Sequence, residues 1–236
     1  MFRRKSVLEF LLGIIFVSFF GTLAVSASMF PGHYDWRYRV ISNLLSPRDN
    51  PAHYRLPVIG VTIAGLSLLP FARHLEQRLK VISRWGAKVT GLGFLLGGLG
   101  LVCAALIVPQ HVHAALGLRR PHELLARAAA GFIALGMIAA CWCAVQGCGH
   151  LLPWPLVWTW VLLTLLPLSG LLCSELLFLF THLRLAWAGP VRSLLKQTVF
   201  WHLGFWEWSG AVAVFLFLCA SVFLMPPIGR ETNASL

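Results

Sequence analysis

The chain has 236 residues, 58% hydrophobic and 11% charged, whereas a soluble domain carries about one-quarter charged residues. One aqueous core cannot hide that much apolar surface, so lipid is the expected solvent and a single membrane-embedded domain over 1–236 the expected organisation. The net charge of +11 lies between the hydrophobic runs, where Lys and Arg set topology and meet anionic headgroups; with no RNA or DNA motif, nucleic acid is not an expected partner.

Runs of about 20 apolar residues bounded by charge, Pro or aromatics predict an all-α bundle of six transmembrane helices. They fall at 8–29, 56–71, 88–108, 122–145, 154–181 and 206–225. The first follows Arg3, Arg4 and Lys5 and ends in Ala24-Val25-Ser26-Ala27-Ser28, which imitates a signal-peptide cleavage site. Its length and the five spans behind it favour an uncleaved helix.

The first loop, 31–47, is too rich in aromatic and charged residues for an idle connector. Tyr34, Asp35, Arg37, Arg39, Ser42 and Asn43 are its candidate ligand-binding residues. Arg37 and Arg39 suit bidentate binding of phosphate or carboxylate; a segment lying against headgroups accounts for the same residues without a specific ligand. Pro31-Gly32-x-Tyr34 after a first helix, then Ile41-Ser42-Asn43-Leu44 and the Ser46-Pro47 turn, resemble a family of uncharacterised six-helix membrane proteins of prokaryotes grouped as a domain of unknown function. That family is distantly similar to the DRAM-type eukaryotic proteins. The resemblance implies architecture more than activity, and the related pattern commonly has an acidic residue where this chain has Asn43.

After the second span, Leu75, Leu79, Ile82 and Trp85 recur at helical spacing among five basic residues in 73–88, as in an amphipathic helix lying on anionic lipid. The third span carries Gly91, Gly93, Gly97, Gly98 and Gly100, and the fourth Ala128, Ala129, Ala130, Gly131 and Gly136. Small faces let backbones approach, so these two spans are expected to form a tight hairpin. Between them His111 and His113 follow Pro109 and are candidate metal ligands, with His202 or an acidic residue to complete a set. The His-x-His pattern is equally that of solvated interfacial histidines. Glu123 complements the dipole of a helix begun by Pro121. Cys141, Cys143, Cys148 and His150 have metal-ligand chemistry, but residues two apart on a helix point away from one another.

Pro167 is expected to kink the fifth span. Glu175 is the sharpest single residue: an acid inside a span is costly and usually functional, and Ser174 and His182 are its near neighbours in sequence or on the helix face. The structural alternative is a paired or protonated Glu holding helices together. The run from Phe200 to Trp208 opens the sixth span with indoles suited to the headgroup level; His202 and Glu207 within it are not anchors and join Glu175 as candidate catalytic residues.

Six spans place seven of the nine histidines on one side, with Asp35, Asp49, Glu123 and Glu207, so one mouth of the bundle is expected to carry the function. Lys and Arg divide nine to ten between the sides, and the basic cluster before the first span tips the expectation to a multi-pass protein of the cell membrane with both termini cytoplasmic. The favoured reading is a noncatalytic, sensor-type bundle whose mouth binds membrane lipid or a protein partner, a second copy included. The alternative is a membrane-embedded hydrolase or transferase acting on a lipid headgroup, with or without a metal. Cofactor use is not legible. Discontinuous spans and repeated halves, the marks of a transporter, are largely missing from the pattern.

Overall fold

The computed structural model describes residues 2–107 and 121–226. Among them there are helices, turns and no strand. Six helices are long and apolar enough to cross a membrane: Lys5–Ser28, Arg55–Leu79, Arg84–Ile107, His122–Gln146, Trp154–Cys173 and Leu203–Phe223. The chain is a multi-pass membrane bundle. A helix of 25 residues such as Arg55–Leu79 spans roughly 37 Å at about 1.5 Å per residue, enough for a hydrocarbon layer of about 30 Å.

The first span is not uniform. It is α-helical over Phe2–Ile15, widens to a π-helical turn at Phe16–Gly21 and resumes as Thr22–Ser28. The Thr22 hydroxyl donates to the Ser18 carbonyl at 2.5 Å, while the Thr22 N–H donates to Phe19 instead. A side chain that takes a carbonyl out of the helical ladder is a known cause of such widening. The second span crosses there through Gly60, where any Cβ would run into Ser18 and Thr22.

The second span runs on to Leu79, past its expected end, with Leu75 and Leu79 wholly buried. The predicted surface helix over 73–88 therefore does not form as a separate element. Its first half continues the second span, a turn covers 80–83, and Arg84 opens the third. The periodicity is real, but Leu75, Leu79 and Ile82 face the bundle core, and Trp85 alone of the four is 77% exposed.

The glycines of the third span serve two neighbours. A Cβ at Gly93 would come 2.6 Å from the Gly136 Cα of the fourth span, and one at Gly100 would press on Ala129. On another face, a Cβ at Gly98 would come 2.7 Å from the Gly65 carbonyl of the second span. The expected hairpin is thus part of a three-helix layer held by close backbone approach.

The spans pack in chain order around a ring that closes from sixth back to first. At its centre Trp160 of the fifth span stacks on Phe217 of the sixth, centroids 4.5 Å apart, and Phe94 of the third stacks with the same Phe217 ring at 5.8 Å. The Trp160 indole N–H donates to the Phe217 carbonyl at 3.3 Å, so the buried ring leaves no stranded donor. Outward residues such as Leu162, Leu165 and Leu166 are exposed and as apolar as the core, as contact with lipid requires.

The fifth helix continues through Pro167 to His182. A short helix, Ala188–Leu195, and a 3₁₀ turn, Val199–Trp201, then lead to the sixth, which begins at Leu203.

Candidate functional site

The start of the sixth span is built to hold the first loop. His202 is extended at φ −90°, ψ 130°, and the helix begins immediately after it. Gly204, Glu207 and Trp208, spaced three and four apart, share one helical face. Each takes a different part of the loop. Gly204 lies against the Arg39 backbone, where a Cβ would come 2.5 Å from the Arg39 carbonyl oxygen. The Glu207 Oε2 accepts from the Ile41 N–H at 2.8 Å. The Trp208 Nε1–H donates to the Tyr34 hydroxyl at 3.1 Å, and that hydroxyl donates onward to the Arg39 carbonyl at 3.0 Å. At the rim the His202 ring meets Tyr38 edge-on with centroids 4.5 Å apart, and Trp36 packs near Phe205.

The loop is folded to fit this surface. Gly32 and His33 both take left-handed backbone, φ 71° and 69°, which turns the chain back after the first span. Phe30 and Tyr34 then pack edge to face in the interior. The Asp35 carbonyl accepts the Tyr38 and Arg39 N–H groups, while its carboxylate takes the Arg37 guanidinium through two bonds of 3.0 and 2.9 Å. Further on, the short helix Ser42–Leu45 ends in a turn where the Ser46 hydroxyl accepts two N–H groups, and Asn43 reaches Asp49 at 3.5 Å. The wholly buried Asn50 ties the loop to the first span, its amide donating to Ser26 Oγ at 2.7 Å and to the Leu44 carbonyl at 3.1 Å.

Electrostatics follow these contacts. Burial pushes the Tyr34 hydroxyl up to about 12, the Trp208 hydrogen bond and the Arg39 charge opposing that rise and the Glu207 charge adding to it. The hydrogen bonds from Arg37 hold the Asp35 carboxyl below the usual range, and Arg37 is raised in return.

Beside this clasp an apolar crevice of about 700 Å³ opens between the fifth and sixth spans. Tyr34, Trp36 and Trp208 line its loop end, Phe205 and Trp206 its side, and Leu163 and Leu216 the end away from the loop. Trp206 lies over Gly170 of the fifth span, where a Cβ would meet the far edge of the indole, and its indole N–H donates to the Phe200 carbonyl at 2.7 Å.

The residues singled out in the sequence thus separate. Tyr34, the Arg39 backbone, His202 and Glu207 come together, whereas Asp35 and Arg37 satisfy each other and Asn43 turns to Asp49. Ser42 begins its short helix, partly buried. Glu175 lies in the last two turns of the fifth helix, its side chain outside the described residues. His111 and His113 fall at 108–120, also outside them. No group of three His, Cys, Asp or Glu able to hold a metal occurs among the described residues. Sequence reading did not find Asn50, Ser26, Gly204 or Gly170. Comparison with family models, curated proteins and solved structures gave no match.

Proposed function

We propose that this chain is a noncatalytic lipid-binding bundle of the cell membrane, with both termini cytoplasmic, that admits a membrane lipid sideways beside its polar mouth. The resemblance to six-helix prokaryotic proteins belongs to the same proposal and bears on architecture alone. The observation that carries the reading is the apolar, aromatic crevice between the fifth and sixth spans, with its loop end formed by the clasped first loop. Its volume lies within the range of about 300–1,000 Å³ usual for ligand sites. Glu207, between the lining residues Trp206 and Trp208, turns a carboxylate oxygen to a backbone N–H, which gives it a part in positioning the loop. In the fold of a sensor, a lipid seated there would press on the loop through Tyr34 and Trp36, which belong to both crevice and loop.

The test is native mass spectrometry of protein purified in mild detergent. At least one phospholipid is expected to stay with each wild-type chain, and Val212→Trp, which fills the crevice from its exposed side, to release it. Wild type free of retained lipid would overturn the reading, and so would hydrolysis or transfer of a lipid headgroup on incubation, which would establish an enzyme.

A further inference from the structure

We infer that the lipid taken by this crevice is an anionic phospholipid, with an acyl chain between the fifth and sixth spans and its phosphate against the Arg39 guanidinium; this rests on the lipid-binding reading above. The crevice accepts only the apolar part of such a molecule. None of the residues lining it is charged, and the lining reaches from Tyr34 and Trp36 at the loop to Leu216. Leu216 is 13 residues beyond Leu203 on the sixth helix, about 20 Å along its axis at about 1.5 Å per residue. A headgroup must therefore remain at the loop end, where Trp36, Trp206 and Trp208 place indoles, the side chains favoured at headgroup level.

The cations at that end differ in whether a carboxylate holds them. Arg37 is paired with Asp35, whereas the Glu207 carboxylate bonds the Ile41 N–H, with Arg127 and Glu123 of the fourth span acting on it in opposite senses. The exposed Arg39 guanidinium has no carboxylate partner among the described residues; it lies 5.0 Å over the Phe30 ring. Phe30 packs on Tyr34, which lines the crevice, so the unpaired cation is joined to the crevice wall through those two rings. Guanidinium matches phosphate geometry bidentately and is weakly hydrated, which suits the phosphate of any phospholipid; the cationic choline of a zwitterionic lipid is repelled beside it, which favours an anionic headgroup. The clasp uses only the Arg39 backbone, through Gly204 and Tyr34, so its side chain is available without loosening the loop.

The experiment offers purified protein an equimolar mixture of dioleoyl phosphatidylglycerol and dioleoyl phosphatidylcholine, then counts retained lipids by native mass spectrometry. Wild type is expected to retain the anionic lipid about tenfold over the zwitterionic one, a difference of about 1.4 kcal/mol. Arg39→Gln is expected to bring that ratio near one, chiefly through loss of the anionic lipid, and Arg39→Lys to keep part of it. Val212→Trp is expected to lower both lipids together, with Leu166→Trp as a second filling variant should the first fail to fold. Equal retention of the two lipids by wild type, with Val212→Trp still emptying the site, overturns the anionic assignment and leaves the lipid-binding reading standing. An unchanged ratio in Arg39→Gln overturns the role of Arg39. No retention by wild type overturns both.

Discussion

The Glu207 carboxylate accepts the Ile41 backbone N–H at 2.8 Å, joining residues 166 positions apart. Removing the acceptor leaves that N–H without a partner in a packed corner. Glu207→Ala is expected to destabilise the protein by about 1–3 kcal/mol, and Glu207→Gln, which keeps a carbonyl oxygen, by less than half as much. Thermal unfolding in detergent reads the loss, and limited proteolysis within the first loop shows where it acts. Equal effects of the two variants would mean that charge, not the hydrogen bond, holds the loop.

Tyr34 makes the clasp sensitive to alkali. Its folded value of about 12 exceeds the ordinary 10.0, so the neutral hydroxyl is the form the fold favours. That contribution is fully present below pH 10 and is lost as pH rises from 10 through 12. The loss amounts to about 2–3 kcal/mol at about 1.36 kcal/mol per pKa unit. Ultraviolet titration should show a tyrosine ionising late, and Tyr34→Phe should remove that step.

Two glycines of the sixth span predict opposite outcomes. Gly204→Ala sets a methyl group against the Arg39 backbone, and overpacking of that kind costs about 1–3 kcal/mol. Gly210 has open space where a Cβ would go, so Gly210→Ala is expected to stabilise the helix by up to about 1 kcal/mol. Melting temperatures measured side by side distinguish a built contact from a merely small residue.

Asn50 anchors the other end of the loop. Asn50→Ala strands the Leu44 carbonyl and Ser26 hydroxyl in the interior and is expected to cost about 1–3 kcal/mol. Asn50→Asp should do no better, because the two bonds need N–H donors. Wild-type melting and loop protection in Asn50→Asp would sink this account.

Asp35 restrains Arg37. Asp35→Asn should leave stability close to wild type, since the pair is exposed, while raising retention of anionic lipid in the mass-spectrometric assay. The Asp35 carboxyl is held low, so the pair persists above its ordinary value and is lost only as pH falls through the depressed one. Wild type at strongly acid pH should therefore move toward the Asp35→Asn behaviour.

The spans were legible because hydropathy over about 20 residues reports a solvent, and lipid is a solvent unlike water. The hairpin was legible from its glycines for a related reason: close approach needs small residues whatever the sequence around them. The segment 73–88 misled because periodicity identifies a face without naming what covers it; the bundle, not the headgroups, covers Leu75 and Leu79. At the mouth, Glu207 and His202 stood out as polar residues among indoles, but the partner of Glu207 is a main-chain N–H, which leaves no mark in a sequence. Asn50 and Ser26 stayed hidden because small polar residues in a loop and at a helix end have many ordinary uses. The π-helical turn at Phe16–Gly21 depends on one hydroxyl choosing one carbonyl, below the resolution of any composition pattern.

The ring that closes from the sixth span to the first fixes an order of events during synthesis. Ile41 leaves the ribosome 166 residues before Glu207, an interval of about 8–33 s at about 5–20 residues per second. Throughout it the nascent loop has neither Gly204 nor Trp208 to rest on, and the aromatic face of Tyr34 waits uncovered beside the translocating chain. The sixth hydrophobic segment to emerge is thus the one that completes the first, and a polypeptide stalled before it would display an unfinished surface to whatever surveys newly inserted proteins.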